Sequence, residues 1–120
     1  MIFRFTLNKK RYKVRVKVIE GVFSKFFGLM FKKKSPPLLF LFKRKTLQSI
    51  HSFFCMPFIA IWFLEDKVID FRVIEGWRIN IKPRRKFNKL LEIPFSERLF
   101  KPLSTEIKKM KEKDLNTLAD

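Results

Sequence analysis

Residues 50–66 read IHSFFCMPFIAIWFLED, and this segment constrains the fold more than any other part of the chain. Elsewhere the sequence is studded with Lys and Arg, whereas residues 46–64 hold nineteen positions without a formal charge. A run of this kind is buried either in a protein core or in lipid. Nineteen residues is about the length of a membrane-spanning helix, and Lys43, Arg44 and Lys45 precede it as a positive flank would. The details favour the core. Gln48, Ser49, His51 and Ser52 crowd one end, and Pro57 interrupts the apolar part. The unbroken apolar run covers only residues 53–64, and Phe, Ile and Trp favour strands. The expectation is a buried strand or strand pair bent at Met56-Pro57, with no transmembrane span.

The rest of the chain reads mainly as strands. In residues 2–7, Phe3, Phe5 and Leu7 alternate with Arg4 and Thr6. In residues 12–19, Tyr12, Val14, Val16 and Val18 share one face, and Lys13, Arg15 and Lys17 share the other. Period-2 alternation with β-branched residues predicts half-buried strands. Asn8-Lys9-Lys10 predicts the hairpin turn, because Asn tolerates the left-handed backbone region. The outer face of this hairpin is then a basic ladder. Phe23, Phe26, Phe27 and Met30 fall at helical spacing and predict a short helix over residues 22–30. Residues 38–42 predict a buried strand, followed by a polar connection at Lys43, Arg44 and Lys45. Glu65-Asp66-Lys67 predicts a turn into a strand over residues 68–74, which makes a second hairpin. Residues 77–81 form a short alternating piece, and residues 87–95 a last strand ending at Pro94. Ser104 is a fair helix cap. Ile107, Met110, Leu115 and Leu118 draw a thin apolar stripe on a charged helix, which either packs on the sheet or extends as a tail. The fold class is therefore α+β, mostly antiparallel and barrel-like, with a short helix near residues 22–30 and a C-terminal helix. Its 120 residues suit one domain over residues 1–103 with a charged helix or tail over residues 104–120.

Charge is the strongest functional signal. The net charge is +17 and unevenly spread. Residues 1–50 hold 14 basic side chains against one acid, Glu20, and residues 51–120 hold 14 against ten. Such a surface attracts polyanions, either nucleic acid or anionic lipid headgroups. Three basic groups stand out. The first contains Lys9, Lys10, Arg11, Lys13, Arg15 and Lys17. The second contains Lys32, Lys33, Lys34, Lys43, Arg44 and Lys45. The third contains Arg84, Arg85 and Lys86 and runs on to Lys89. Tyr12, Phe31 and Phe87 interleave with them, and aromatic rings among cations can stack bases while Lys and Arg hold phosphates.

Five separated pieces resemble one widespread prokaryotic family, domain of unknown function 192. FGLMFKKK at residues 27–34 is similar to its "GLM-F/Y-R" helix end. LLFLF at residues 38–42 is similar to the strand that follows. IHSFFCMPFIAIWFLE resembles its central signature, I-H-T-F-F-M-R-F-P-I-D-V-V-F-L-D in one branch. GWR at residues 76–78 resembles its "P-W-R" motif, and LLEIP at residues 90–94 its "vLE-L/V-P" strand. The pieces stand in the family's order over residues 21–96. The resemblance implies a compact, mostly antiparallel β domain with a short helix and no established activity. The chain departs from the pattern at Ala60, where the family has Asp, at the inverted Pro57-Phe58 pair, and near Ser96, where a Gly is usual.

Little in the residues points to catalysis. One His and one Cys make no nucleophile–base pair, since His51 and Cys55 lie four residues apart. Cys55 among Phe54, Met56 and Phe58 reads as a small buried hydrophobe, and a single Cys forms no internal disulfide. Three Gly form no phosphate-binding loop, and no metal-ligand spacing is present. The expectation is no cofactor and a non-enzymatic binding domain whose basic face contacts nucleic acid or another polyanion. A second reading is a small-ligand or anion pocket near His51, Trp77, Arg78 and Glu92, with Arg78 as fork and Trp77 as wall. A third is peripheral attachment to an anionic membrane surface. The first residues, MIFRFTLNKKR, have no apolar core of signal-peptide length, so the expected location is cytoplasmic.

Overall fold

The computed structural model describes residues 1–20, 36–49, 57–75 and 81–119, with side chains as far as residue 113. The expected helix over 22–30, Lys32–Lys34, His51, Cys55, Trp77 and Arg78 lie outside the described residues. The elements are β1 (Ile2–Leu7), β2 (Lys10–Arg15), β3 (Lys17–Glu20), β4 (Leu38–Thr46), β5 (Phe58–Leu64), β6 (Lys67–Ile74), β7 (Phe87–Pro94) and α1 (Phe100–Ala119). The architecture is α+β, and among the described residues the sheets do not close into a barrel. A two-stranded sheet, β1-β2, accompanies a five-stranded sheet of order β3-β4-β7-β5-β6, whose ends β3 and β6 do not pair with each other.

The opening hairpin follows the alternation. Phe5, Leu7 and Val14 are buried, while Arg4, Thr6, Arg11, Lys13 and Arg15 are exposed. Its turn is the two-residue Asn8-Lys9, with φ of 52° and 65°. Positive φ at both central residues gives the turn the twist that joins right-twisted strands. The predicted strand over 12–19 is divided at Val16. The Val16 N–H donates to the Met1 carbonyl at 2.8 Å, whereas the Lys17 N–H donates to the Pro37 carbonyl at 2.9 Å. The chain keeps its alternation but exchanges partners there, leaving β1 and pairing in parallel with β4.

Strand β5 explains the apolar run. It lies between β7 and β6, antiparallel to both, and Phe58 to Phe63 are all buried. Ile59, Ile61 and Phe63 join a core with the hairpin and α1, while Phe58, Ala60 and Trp62 join a second core with Leu38, Ile81 and Phe87. A central strand covered on both faces has no solvent side, so its sequence shows no polar alternation. Each such large side chain contributes roughly 1.5–3 kcal/mol by burial. Among the described residues, no helix is long and apolar enough to cross a membrane.

Two boundaries differ from expectation. Lys43, Arg44 and Lys45 are not a connection but part of β4, all exposed. Helix α1 begins at Phe100, four residues before Ser104, which lies inside it. The Ser104 hydroxyl donates back to the Lys101 carbonyl at 3.4 Å, so it does not cap the helix. The helix packs on the sheet, because Leu103 and Ile107 are fully buried in the first core.

Candidate functional site

Sheet pairing gathers much of the basic charge at one end of the molecule. Leu41 pairs with Lys89 and Thr46 with Phe87, so four residues of β4, 42–45, stand opposite the single residue Asn88. The last described pair of β3 with β4 is Glu20 with Leu41. The excess length makes a bulge, and it consists of Phe42 followed by Lys43, Arg44 and Lys45. Phe42 holds it inward by an edge-on contact with Phe87, ring centroids 5.0 Å apart. Arg84, Arg85 and Lys86 immediately precede Phe87 and are exposed. Two groups some forty residues apart in sequence therefore flank the Thr46–Phe87 pair.

The loop bearing Arg84 is fastened to the edge strand β6. The Arg84 N–H donates to Asp70 Oδ2 at 3.1 Å, and Arg72 Nη2 donates to the Lys82 carbonyl at 2.5 Å. Arg72 also lies over the Trp62 ring, 5.6 Å from its centroid. Positive charge is dense here. Partial loss of water, then the guanidinium of Arg72, lowers the pKa of Lys111 on α1 below its ordinary 10.5; Arg84 adds to this and Asp70 opposes it. The Trp62 indole N–H is buried and has no hydrogen-bond partner among the described residues.

The β5–β6 turn connects this end to the hairpin. Glu65, at φ 56°, exchanges hydrogen bonds with Asn88: its N–H donates to Asn88 Oδ1 at 2.9 Å, and Asn88 Nδ2 donates to Glu65 Oε1 at 3.0 Å. Lys89 Nζ pairs with Asp66 at 3.1 Å. Asp66 in turn borders a cleft of about 550 Å³, lined otherwise by Arg4, Phe5, Thr6, Arg11, Tyr12 and Lys13. Tyr12 stacks on Phe5, centroids 5.3 Å apart and planes 21° apart. Burial raises the Tyr12 pKa above its ordinary 10.0, assisted by Glu106 and opposed by Lys10. The phenol is therefore neutral and keeps its O–H at physiological pH.

Not every predicted cation belongs to this surface. Lys10 is engaged: its Nζ donates to Glu106 Oε2 at 2.9 Å, beside Asn8 Nδ2 on Oε1 at 2.6 Å. These bonds latch the hairpin turn to α1. They lower the pKa of Glu106 and raise that of Lys10. Lys9 is exposed in the turn. Arg15 and Lys17 are exposed at the other end of the hairpin and sheet, since Lys17 pairs with Leu38. Arg4 and Asp66 were absent from the predicted groups. The alternation of β1 already put Arg4 on the outer face, but nothing local puts Asp66 beside it.

Of the predicted small-ligand pocket only Glu92 is described. It is 4% exposed on β7, in register with Leu38 on one side and Ala60 on the other. Ala60 is in turn in register with Arg72. The position at which the resemblance expects Asp is thus a fully buried alanine between a Glu and an Arg. Among the described residues no cluster of His, Cys, Asp and Glu is arranged to hold a metal ion.

No family model matches the chain. No solved structure matches it significantly. Two archaeal proteins do. A UPF0127 protein of Pyrococcus horikoshii is 32% identical over 83 residues, which cover 66% of this chain and 71% of that protein. A UPF0127 protein of Pyrococcus furiosus is 28% identical over 102 residues, covering 82% of this chain and 85% of its relative. The chain belongs to the uncharacterised UPF0127 family.

Proposed function

We propose that this chain is a small non-enzymatic binding domain of the cytoplasm whose basic end contacts nucleic acid or another polyanion. The observation that supports it is the convergence at the Thr46–Phe87 pair. The bulge cations Lys43, Arg44 and Lys45 meet the loop cations Arg84, Arg85 and Lys86 there. The ion pair of Lys89 with Asp66 then leads to the cleft of Arg4, Arg11 and Lys13. Cations so arranged replace the counterions condensed on a phosphate backbone, and their release drives binding. The test is a titration with single- and double-stranded DNA and RNA across salt. With about four phosphates neutralised, log K should fall with log salt at a slope of about −3 to −4. Replacing Lys43, Arg44 and Lys45 together by Glu should flatten that slope by about 2. No binding at low salt, or binding indifferent to salt, would refute the proposal.

We also propose that the UPF0127 family is the one described as domain of unknown function 192. The support is that three of the resembling pieces become neighbours. LLFLF lies in β4, LLEIP in β7 and the end of the central signature in β5, adjacent in the order β4-β7-β5. A solved structure from that family with those motifs in another strand order would overturn this.

A further inference from the structure

We infer that the outer edge of β2 is a docking site for an extended acidic peptide, which adds to the hairpin as a third strand. This goes beyond the polyanion reading, since main-chain hydrogen bonds and not counterion release hold the ligand. The register shows which groups face that edge. The Val16 N–H donates to the Met1 carbonyl, so Lys10, Tyr12, Val14 and Val16 turn their N–H and C=O groups towards β1. Arg11, Lys13 and Arg15 turn theirs the other way. Lys17, next in that series, donates on this outer side to the Pro37 carbonyl, where β3 pairs with β4. Pro37 has no N–H with which to carry that ladder on to the Arg15 carbonyl. Among the described residues β1 is the sole strand paired with β2. The edge of β2 thus continues one that is already used for pairing, and it presents N–H and C=O groups at alternate residues.

The side chains select the occupant. Arg11, Lys13 and Arg15 are exposed on the outer face, while Val14 is buried and Tyr12 half-buried on the other. A strand added here sets every second side chain beside a cation and the intervening ones beside Tyr12 and Val14. Alternating carboxylate and apolar residues meet both requirements, and opposite charges on neighbouring strands attract. A second copy of β2 would set cations against cations, and Lys and Arg on a strand edge oppose such self-pairing. Nucleic acid has no peptide groups to complete the ladder.

The intact chain is titrated at low salt with a capped octapeptide alternating Glu and Val, and amide hydrogen exchange is followed residue by residue. The Arg11, Lys13 and Arg15 amides should exchange readily in the free chain and slow as the peptide saturates, with Tyr12 and Val14 little changed. Methylating the peptide nitrogens of one alternate set, Glu or Val according to strand direction, should weaken binding by about 2- to 12-fold per lost hydrogen bond. Methylating the other set should not. A scrambled peptide of equal charge and a single-stranded oligonucleotide complete the series. Slow exchange at Arg11, Lys13 and Arg15 before peptide is added would show the edge already occupied and overturn the inference. So would an absence of binding, equal effects of the two methylations, equal binding of the scrambled peptide, or slowing of the same three amides by the oligonucleotide. Every arm uses the unaltered chain, so none depends on a variant folding.

Discussion

Truncating Ile107 tests whether α1 is an integral layer of the fold. Its side chain is fully buried in the core that contains Ile59, Ile61, Phe63 and Leu103. Ile107→Ala removes three carbon groups, a transfer loss of about 2.4 kcal/mol at ~0.8 kcal/mol each. The residual cavity adds about 24 cal/mol per Å³. If most of the vacated volume stays open, this is roughly 1–2 kcal/mol more. Alanine's higher helix propensity returns about 0.5 kcal/mol. The expected net loss is about 3–4 kcal/mol. It would be read as a shift of the urea midpoint at constant slope, and as a melting temperature lower by about 10 °C or more. Lys108→Ala, on the exposed side of the same helix, is the control. Its ion pair with Glu75 spans 3.8 Å between side chains that are both more than half exposed, and its loss should change stability by under about 0.5 kcal/mol. A loss below about 1 kcal/mol for Ile107→Ala would refute the docking, because no buried isoleucine in a well-packed core is so dispensable.

Three further predictions follow from particular contacts. Lys9 holds φ 65° without being glycine, so Lys9→Gly should raise stability by about 0.5–1 kcal/mol in urea unfolding; a loss of stability would contradict the turn geometry. Glu106 has its pKa lowered below the ordinary 4.5, by its hydrogen bonds to Lys10 and then Asn8. Its stabilising effect is therefore present above pH 4.5 and disappears as pH falls through the lower folded value. Glu106→Gln should flatten the acid side of a melting-temperature profile, and an unchanged profile would exclude the latch. The Trp62 N–H is buried and has no partner among the described residues. Trp62→Phe trades a cavity penalty against relief of about 1–3 kcal/mol of unmet hydrogen bonding, so stability should move by under about 1 kcal/mol. A drop of about 3 kcal/mol or more would show that the indole nitrogen is satisfied in solution.

The two hairpins were legible in the sequence because their information is local. Phe3, Phe5 and Leu7 against Arg4 and Thr6 specify a face, and Asn8-Lys9 and Glu65-Asp66 specify reversals. What local alternation does not specify is the partner. Residues 12–19 alternate without interruption, yet the chain crosses from one sheet to another at Val16, since a strand that continues straight keeps its faces when its neighbour changes. The barrel expectation failed for the same reason. Strand number and face are read from period, whereas closure depends on whether β3 and β6 meet, and that is a non-local fact. Helix α1 begins four residues before Ser104, whose cap chemistry is local, because the buried Phe100 and Leu103 extend the apolar face back towards residue 100.

The candidate site divides along the same line. Each basic cluster is visible as a run of letters, and the exposure of Lys13, Arg44 or Arg85 follows from its chemistry. Their relation to one another comes from the pairing of β4 with β7, and within it from a length mismatch. Four residues against one cannot lie flat, so residues 42–45 must leave the ladder. Phe42 has a hydrophobic place to go, against Phe87, and Lys43, Arg44 and Lys45 are exposed. The register thus turns a charged strand end into a projecting cationic bulge. A ladder in perfect register would have spread the same three charges alternately over both faces of the sheet. On this reasoning the bulge, more than the net charge of +17, concentrates the positive field at one end. Deleting two residues from 42–45 should therefore weaken polyanion binding more than removing two exposed lysines elsewhere.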